Sequence, residues 1–418
     1  MAKWNVISSD SHIECSPVGW IERLPKNLRD DAPKLVKLPN GGDGIVVGNE
    51  APAPLGLQLT GGQKFKDFVT KGHSFDQNLP GTGGPEQRLK EQDLDGVDAE
   101  LLFCAVVATS LKKIKDPNML NGIATAWNSW LSDFCSHNTD RLLGVGLAPP
   151  TTAKDAIAEM ERIAKLPGLV VTQLLTFPNG GEWGTYGDEP FWAAANEMGM
   201  PICAHHNFGG ESGHKSHPLP GQDDYKPLSM EGSIDLSVFA WLLTCDIPIP
   251  TIPILTIEQL FLGGVLDRYP NLRIFFGESG AGWLPYWMEQ IDDRYSRHRH
   301  WAGVNLKMKP TDYIRKHFMF SFMEDRVAIE NRARIGVDNI AWCNDFPHSV
   351  GDWPYSRETR ERQMFDVPDN ERRKLEGLNI AEFLKLITKE EKEGMAQEPR
   401  SEKVESLRVP ARGERRAS

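Results

Sequence analysis

Apolar residues fall into short, nearly unbroken runs, separated by longer stretches in which they recur every three or four positions. The runs lie at residues 6–8, 99–106, 142–147, 169–174, 201–204, 272–276, 317–322 and 339–342. A strand that is apolar on both faces is buried on both, as in a parallel sheet covered by helices. Helical spacing marks residues 118–137, 153–165, 190–198, 257–268, 283–297 and 324–335. Eight such strands with helices between them predict an α/β fold, a (β/α)8 TIM barrel. An open doubly wound sheet would carry a Gly-rich phosphate turn after its first strand, and none stands there.

Three stretches break the pattern. Residues 17–96 are rich in Gly, Pro and charge and read as a long insertion after strand one, capping the site or making a subunit contact. Residues 207–227, "NFGGESGHKSHPLPGQDDYKP", are a polar loop directly after the fifth run. Residues 389–418 are charged and poor in apolar side chains, a tail expected to be disordered or ordered only by a partner. The expected organisation is a barrel over residues 1–388, with 17–96 inserted, followed by the tail 389–418.

Bulk properties narrow the partners. A formal charge of −11 on 418 residues argues against nucleic acid or an anionic membrane. No apolar run approaches the length of a membrane span, and no signal peptide precedes the first run. The six cysteines show no CxxC pairing, which reads as buried free thiols in a reducing, cytoplasmic setting.

The chemistry gathers at the ends of the runs, where barrel enzymes keep their active sites. The first ends in Asp10-Ser11-His12-Ile13-Glu14, the alternate positions of an extended chain facing one way. The fourth carries Gln173, the fifth ends in His205 and His206, and the sixth in Glu278. The eighth ends in Asn344 and Asp345, with His348 just beyond. Imidazoles and carboxylates from several strands suit a borderline divalent metal. Each residue also has a plainer reading: Asp10 or Glu14 as a turn residue, one of the paired histidines as a core residue, Glu278 as a helix-start anion. The joint pattern favours the metal.

Two other motifs are weaker. "GESGA" (277–281) resembles part of a nucleophile elbow around Ser279, but Ala281 stands where the final glycine belongs. "HRHW" (298–301) ends an Arg-rich helix and reads as a solvated helix terminus.

With "SDSHIE", "QDLDGVDAELLF", "PFWAAANEMGMPI", "LGGVLDRYPNLRIFFGESGAGWLPYWMEQID", "CNDFPHSVGDWP" and "GLNIAEFL" in view, residues 4–387 resemble the amidohydrolase-related family. Aminocarboxymuconate-semialdehyde and γ-resorcylate decarboxylases belong to it. The resemblance implies a distorted (β/α)8 barrel holding a divalent metal. It implies Asp10 and His12 as the strand-one pair, His205 on strand five and Asp345 on strand eight. Decarboxylases of the family place a catalytic histidine on strand six, where this chain has Glu278, and Glu14 is an additional carboxylate. The carboxylate-rich set is similar to relatives that are dinuclear, iron-containing oxygenases.

The expectation is therefore a metal-dependent enzyme that hydrolyses or decarboxylates a small carboxylate through a metal-activated water. One or two ions (Zn, Fe or Mn) would be held by Asp10, His12, Glu14, His205, Glu278 and Asp345. Asp345, Glu278 and His206 are the candidate catalytic groups, and Gln173, Trp183, His348 and Trp353 the candidate substrate contacts. The alternatives are a dinuclear Fe or Fe/Mn monooxygenase, and a non-catalytic subunit paired with an active homologue. A homo-oligomer, or a hetero-oligomer with a homologue, is expected.

Overall fold

The structure is a computed structural model that describes residues 4–398 except 40, 112, 207 and 209–252. Apart from Phe208, the polar loop 207–227 lies outside the described residues, as does the tail beyond 398. All eight predicted strands form. They are β1 (Ile7–His12), β5 (Ala99–Phe103), β6 (Leu142–Leu147), β7 (Leu169–Gln173), β8 (Ile202–His205), β9 (Ile274–Gly277), β10 (Phe318–Phe322) and β11 (Ile340–Trp342). They follow one another in sheet order as in sequence, the strand order of a (β/α)8 barrel.

The chain divides into two compact units. One comprises residues up to 146, 165–170 and those from 341 onward; the other comprises 147–164 and 171–340. In the first, β1 pairs with β5 and β5 with β6, all parallel. The segment after β11 is bonded to β1 there, since Asp345 N donates to Asp10 O and His12 N to Phe346 O. In the second, β7, β8, β9 and β10 pair in order, again parallel.

Several boundaries differ from expectation, among them the helix expected over 324–335, which is two short helices, Arg326–Glu330 and Arg332–Ile335. Strand one runs on through the polar residues to His12, because its backbone stays paired and every residue from Ile7 to His12 is buried. The second run stops as a strand at Phe103, and a helix starts at Ala105. The helix expected over 257–268 is two helices, Ile254–Leu262 and Val265–Arg268. They are broken at Gly264, whose φ of +68° a residue with a side chain rarely adopts.

The insertion is ordered. It holds a short helix (Val18–Ile21) and an antiparallel sheet of β2 (Lys34–Lys37), β3 (Asp43–Val46) and β4 (Ala53–Pro54). It ends in a helix, Pro85–Asp95, that helical spacing did not reveal, because its buried residues are Arg88, Glu91, Gln92 and Asp95. The start of the supposed tail is also ordered. Lys389–Ala396 is a helix opened by a capping box from Thr388, with the stem of Lys392 buried and its ammonium 3.6 Å from Glu382.

His317, the last residue of the helix Pro310–His317 that leads into β10, is buried, and its Nδ1 donates to Leu272 O at 2.8 Å. Burial holds its pKa down to about 4, against the pull of that carbonyl. The unfolded side chain titrates near 6.5. Between those values the unfolded chain binds the extra proton, so stability falls as pH drops from about 6.5 to about 4 and this contribution then levels off. The loss is on the order of 3 kcal/mol. Denaturant titrations at pH 7, 5.5 and 4 should show His317→Gln losing less stability over this window than the wild type; equal losses would remove His317 as the cause.

Candidate metal centre

The first unit gathers five of the expected residues. In β1 the register with β5 steps from Ser8↔Glu100 to Ser11↔Leu102, three residues against two. That extra residue is a bulge, a device that re-aims side chains beside active sites. His12 Nε2 lies 3.5 Å from Asp10 Oδ1 and 3.0 Å from Asp345 Oδ1. Ligand atoms of Asp10, His12 and Asp345 all lie within 4.8 Å of one another, as do those of His12, Glu14 and His348. The His348 ring stacks on His12 with centroids 3.9 Å apart. Its Nε2 is 3.1 Å from Glu14 Oε1 and its Nδ1 3.4 Å from Asp345 Oδ1.

Electrostatics follow from this packing. Burial pushes the Glu14 carboxyl up, against the hydrogen bond and charge of His348. Burial also raises Asp345, but the charge of His348 and hydrogen bonds from both imidazoles outweigh it and hold Asp345 below its ordinary value. His348 is disfavoured as a cation by burial, yet Asp345 and Glu14 hold it well above the usual imidazole value. Glu14 Oε2 and Asp345 Oδ2 are buried oxygens with no hydrogen-bond partner among the described residues. Buried polar atoms are normally satisfied. Carboxylate oxygens left over beside imidazole nitrogens are the mixed donor set of Zn, Mn or Fe, so these residues fit a divalent ion.

A polar network lies behind this group. Asn344 Oδ1 accepts from Ser8 Oγ and Ser11 Oγ, both at 2.8 Å, and its Nδ2 donates to Asp95 Oδ2 at 3.1 Å. Arg88 Nε donates to Glu100 Oε2 at 2.6 Å and its Nη1 to His12 O at 2.9 Å. Gln92 Nε2 also donates to Glu100 Oε2, at 2.9 Å. Arg88, Asp95 and Glu100 were not among the expected site residues. The available signal was Glu100, a carboxylate inside an otherwise apolar run.

The second unit gathers three more. His205 ends β8 and Glu278 follows β9, paired at His205↔Gly277. Glu278 Oε2 is 3.1 Å from His205 Nε2 and 3.3 Å from His206 Nε2. Burial opposes ionisation of Glu278, but these two hydrogen bonds prevail and hold it far below the ordinary carboxylate range. His206 Nδ1 faces Glu278 O at 3.1 Å. A carbonyl and a carboxylate can only accept, so both ring nitrogens of His206 face acceptor atoms. Of the five non-glycine residues with positive φ among those described, His206, Glu278 and Asp345 are three. Such strain collects at functional sites.

The remaining expected residues sit as follows. Gln173 is buried at the end of β7. Trp183 is partly exposed, in a loop where its carbonyl accepts from Asn179 Nδ2. His348 belongs to the donor group itself. Trp353, expected at the substrate, is packed on Phe346, and its indole donates to Glu91 O at 3.0 Å, which makes it a support for the loop after β11. Ser279 Oγ is bonded to the backbone carbonyls of Phe276 and Gly280, unlike a poised nucleophile. His298 accepts from Trp301 Nε1 on an exposed helix end.

Comparison with known proteins settles the family. A profile of the amidohydrolase family matches residues 73–386. The chain belongs to the amidohydrolase family. Strand β1, with Asp10 and His12, and Glu14 just beyond it precede the matched residues. Among curated relatives, the 2-amino-3-carboxymuconate-6-semialdehyde decarboxylase of Dictyostelium discoideum is 23% identical over 305 residues, 72% of this chain and 77% of its own. A solved amidohydrolase of Mycobacterium avium subsp. paratuberculosis superposes with a TM-score of 0.65 at 16% identity, covering 92% of this chain and 98% of that one. A solved dihydroxybenzoic acid decarboxylase of Polaromonas sp. JS666, with bound manganese and 2-nitroresorcinol, gives 0.58 at 18% identity, with 91% and 97% covered. These likenesses confirm the (β/α)8 fold. No helix among the described residues is long and apolar enough to cross a membrane.

Proposed function

We propose that this amidohydrolase is a metal-dependent carboxy-lyase acting on a small aromatic carboxylate, with Asp10, His12 and Asp345 holding the metal. The observation that carries this is the buried trio of ligand atoms within 4.8 Å, two of them carboxylate oxygens. The decarboxylase relatives supply the reaction class. His205, His206 and Glu278 enter by their position at strand ends, where enzymes of this fold carry their chemistry. A bound divalent ion would supply Lewis-acid polarisation of a substrate oxygen. The chain's own residues have to supply a proton. When the bond to the carboxyl carbon breaks, carbon dioxide leaves and the electron pair stays on the ring carbon. His206, whose two ring nitrogens face Glu278, is the group proposed to protonate that carbon. The loop at 60–62 is proposed to cap the metal group, since Thr60 N and Gly62 N donate to Pro347 O and Trp353 O.

A second reading, the dinuclear oxygenase, is favoured by one observation: Glu14 and His348 add a further donor pair beside His12. Protein produced with manganese, zinc and iron all supplied separates the two. The carboxy-lyase should release carbon dioxide from a hydroxybenzoate panel with no uptake of oxygen. Two irons per chain with oxygen uptake and no carbon dioxide would replace it with the second reading. Glu14→Gln sharpens the comparison. With one metal, its stoichiometry should match the wild type; with two, one ion of the pair should be lost.

A further inference from the structure

The sheet of the second unit has two faces of different character. Phe276 of β9 stacks on Phe318 and Phe320 of β10 at 5.9 and 5.7 Å, and Phe320 meets Trp283, which opens the helix Leu284–Ala302. That face is covered by helices. Residues one position on face the other way. The register places Gln173 beside Cys203, Cys203 beside Phe275, and Phe275 beside Met319. Two residues further along the same face, His205 lies beside Gly277, and the next strand carries Ser321 at that level.

This face is apolar below and polar at its margins. Cys203, Phe275 and Met319 form a buried floor. Above it stand His205, then Gly277 with no side chain, then Ser321. Two strand spacings separate His205 from Ser321, about 10 Å, and nothing projects from the position between them. Gln173 and Ser321 are both buried, and Gln173 Oε1 and Ser321 Oγ have no hydrogen-bond partner among the described residues. Ser321 borders the Gly277 position and Gln173 lies one row lower, beside Cys203 beneath His205; two buried groups without a partner among the described residues on one face call for a shared explanation.

We infer that the gap over Gly277 receives the ring of the substrate, and that Gln173 and Ser321 recognise its polar substituents, hydroxyl or carboxylate oxygens. The inference rests on the aromatic-carboxylate reading above. Phe275 and Met319 give the ring an apolar floor with a favourable sulfur and aromatic edge. A glycine at 277 lets the ring approach the backbone, since its φ is not positive and conformation alone does not demand glycine there.

The test uses the metal-loaded protein and calorimetric binding of two probes, 2,6-dihydroxybenzoate and unsubstituted benzoate. Ser321→Ala and Gln173→Leu should each weaken the dihydroxy ligand about tenfold and benzoate less than about twofold. Gly277→Ala should weaken both, because its methyl fills the gap. Ser321→Ala should not lower Tm, since it removes a hydroxyl with no hydrogen-bond partner among the described residues. The inference is overturned if the wild type binds neither probe or fails to distinguish them. It is also overturned if the variants bind as the wild type does, or if Ser321→Ala lowers Tm with discrimination unchanged. Its fate separates from that of the carboxy-lyase reading. Lost discrimination in variants of a protein that takes up oxygen and releases no carbon dioxide leaves the recognition residues standing. Carbon dioxide release with unchanged discrimination leaves the reaction standing without them.

Discussion

Asp345→Ala, produced with manganese or zinc in the medium, is expected to retain less than about a tenth of the wild-type metal and to lose all measurable turnover. Loss of an outer partner of a metal site costs roughly 10–100-fold in affinity, and Asp345 is proposed as a ligand itself. Its carboxylate is fully buried, 3.0 Å from His12 Nε2 and 3.4 Å from His348 Nδ1. Alanine, however, also has to adopt the φ of +50° found here, a left-handed conformation that costs about 1–2 kcal/mol. Asp345→Asn separates the causes. Asparagine tolerates that backbone and keeps the shape, but removes the charge. Both variants should lose metal by elemental analysis, while Asn alone should keep the wild-type melting temperature of metal-free protein more closely. Full metal content in the Asn variant would show that the carboxylate is not a ligand and would move the centre elsewhere.

The parts of this chain that were legible in sequence share one property: their burial is apolar. All eight strands were marked by nearly unbroken apolar runs, because a parallel sheet hides both faces. The helix Pro85–Asp95 was not legible, since what it buries is Arg88, Gln92 and Asp95, and a polar buried face leaves no hydrophobic period to read. The same cause moved the end of β1. Ser8 to His12 look like a loop in composition, but each finds a polar partner in the interior, such as Ser8 and Ser11 on Asn344. The residue types of the site were readable, while their grouping was not. Alternation predicted Asp10, His12 and Glu14 on one side without the bulge that the register shows. It could not indicate that Glu14 would meet His348, 334 positions away, or that the Trp353 indole would bond Glu91 O, 262 positions away. Those outcomes depend on contacts distant in sequence, which a single chain does not display.

Arg88→Ala is expected to destabilise the protein by about 3–5 kcal/mol and to weaken metal binding about 10–100-fold. Arg88 and Glu100 are 2% and 1% exposed. Removing the guanidinium leaves Glu100 buried with Gln92 Nε2 at 2.9 Å as its nearest remaining partner, and an uncompensated buried charge is more costly than a lost contact. The same variant withdraws the donor at 2.9 Å from His12 O and the guanidinium stacked 4.5 Å from the Phe346 ring. The backbone of β1 at its ligand and the residue after Asp345 are therefore released together, which is why metal affinity should fall as well as stability. Two comparisons distinguish charge from shape. Arg88→Ala combined with Glu100→Gln removes both charges and should recover part of the lost stability but not the metal affinity, since His12 O still lacks its donor. Arg88→Lys keeps the charge but offers a point rather than a fork, so it should keep one of the two bonds and fall between the wild type and Ala in both measurements. If the double variant recovered metal affinity in step with stability, the arginine would be acting through Glu100 alone, and its bond to His12 would have no part in holding the metal.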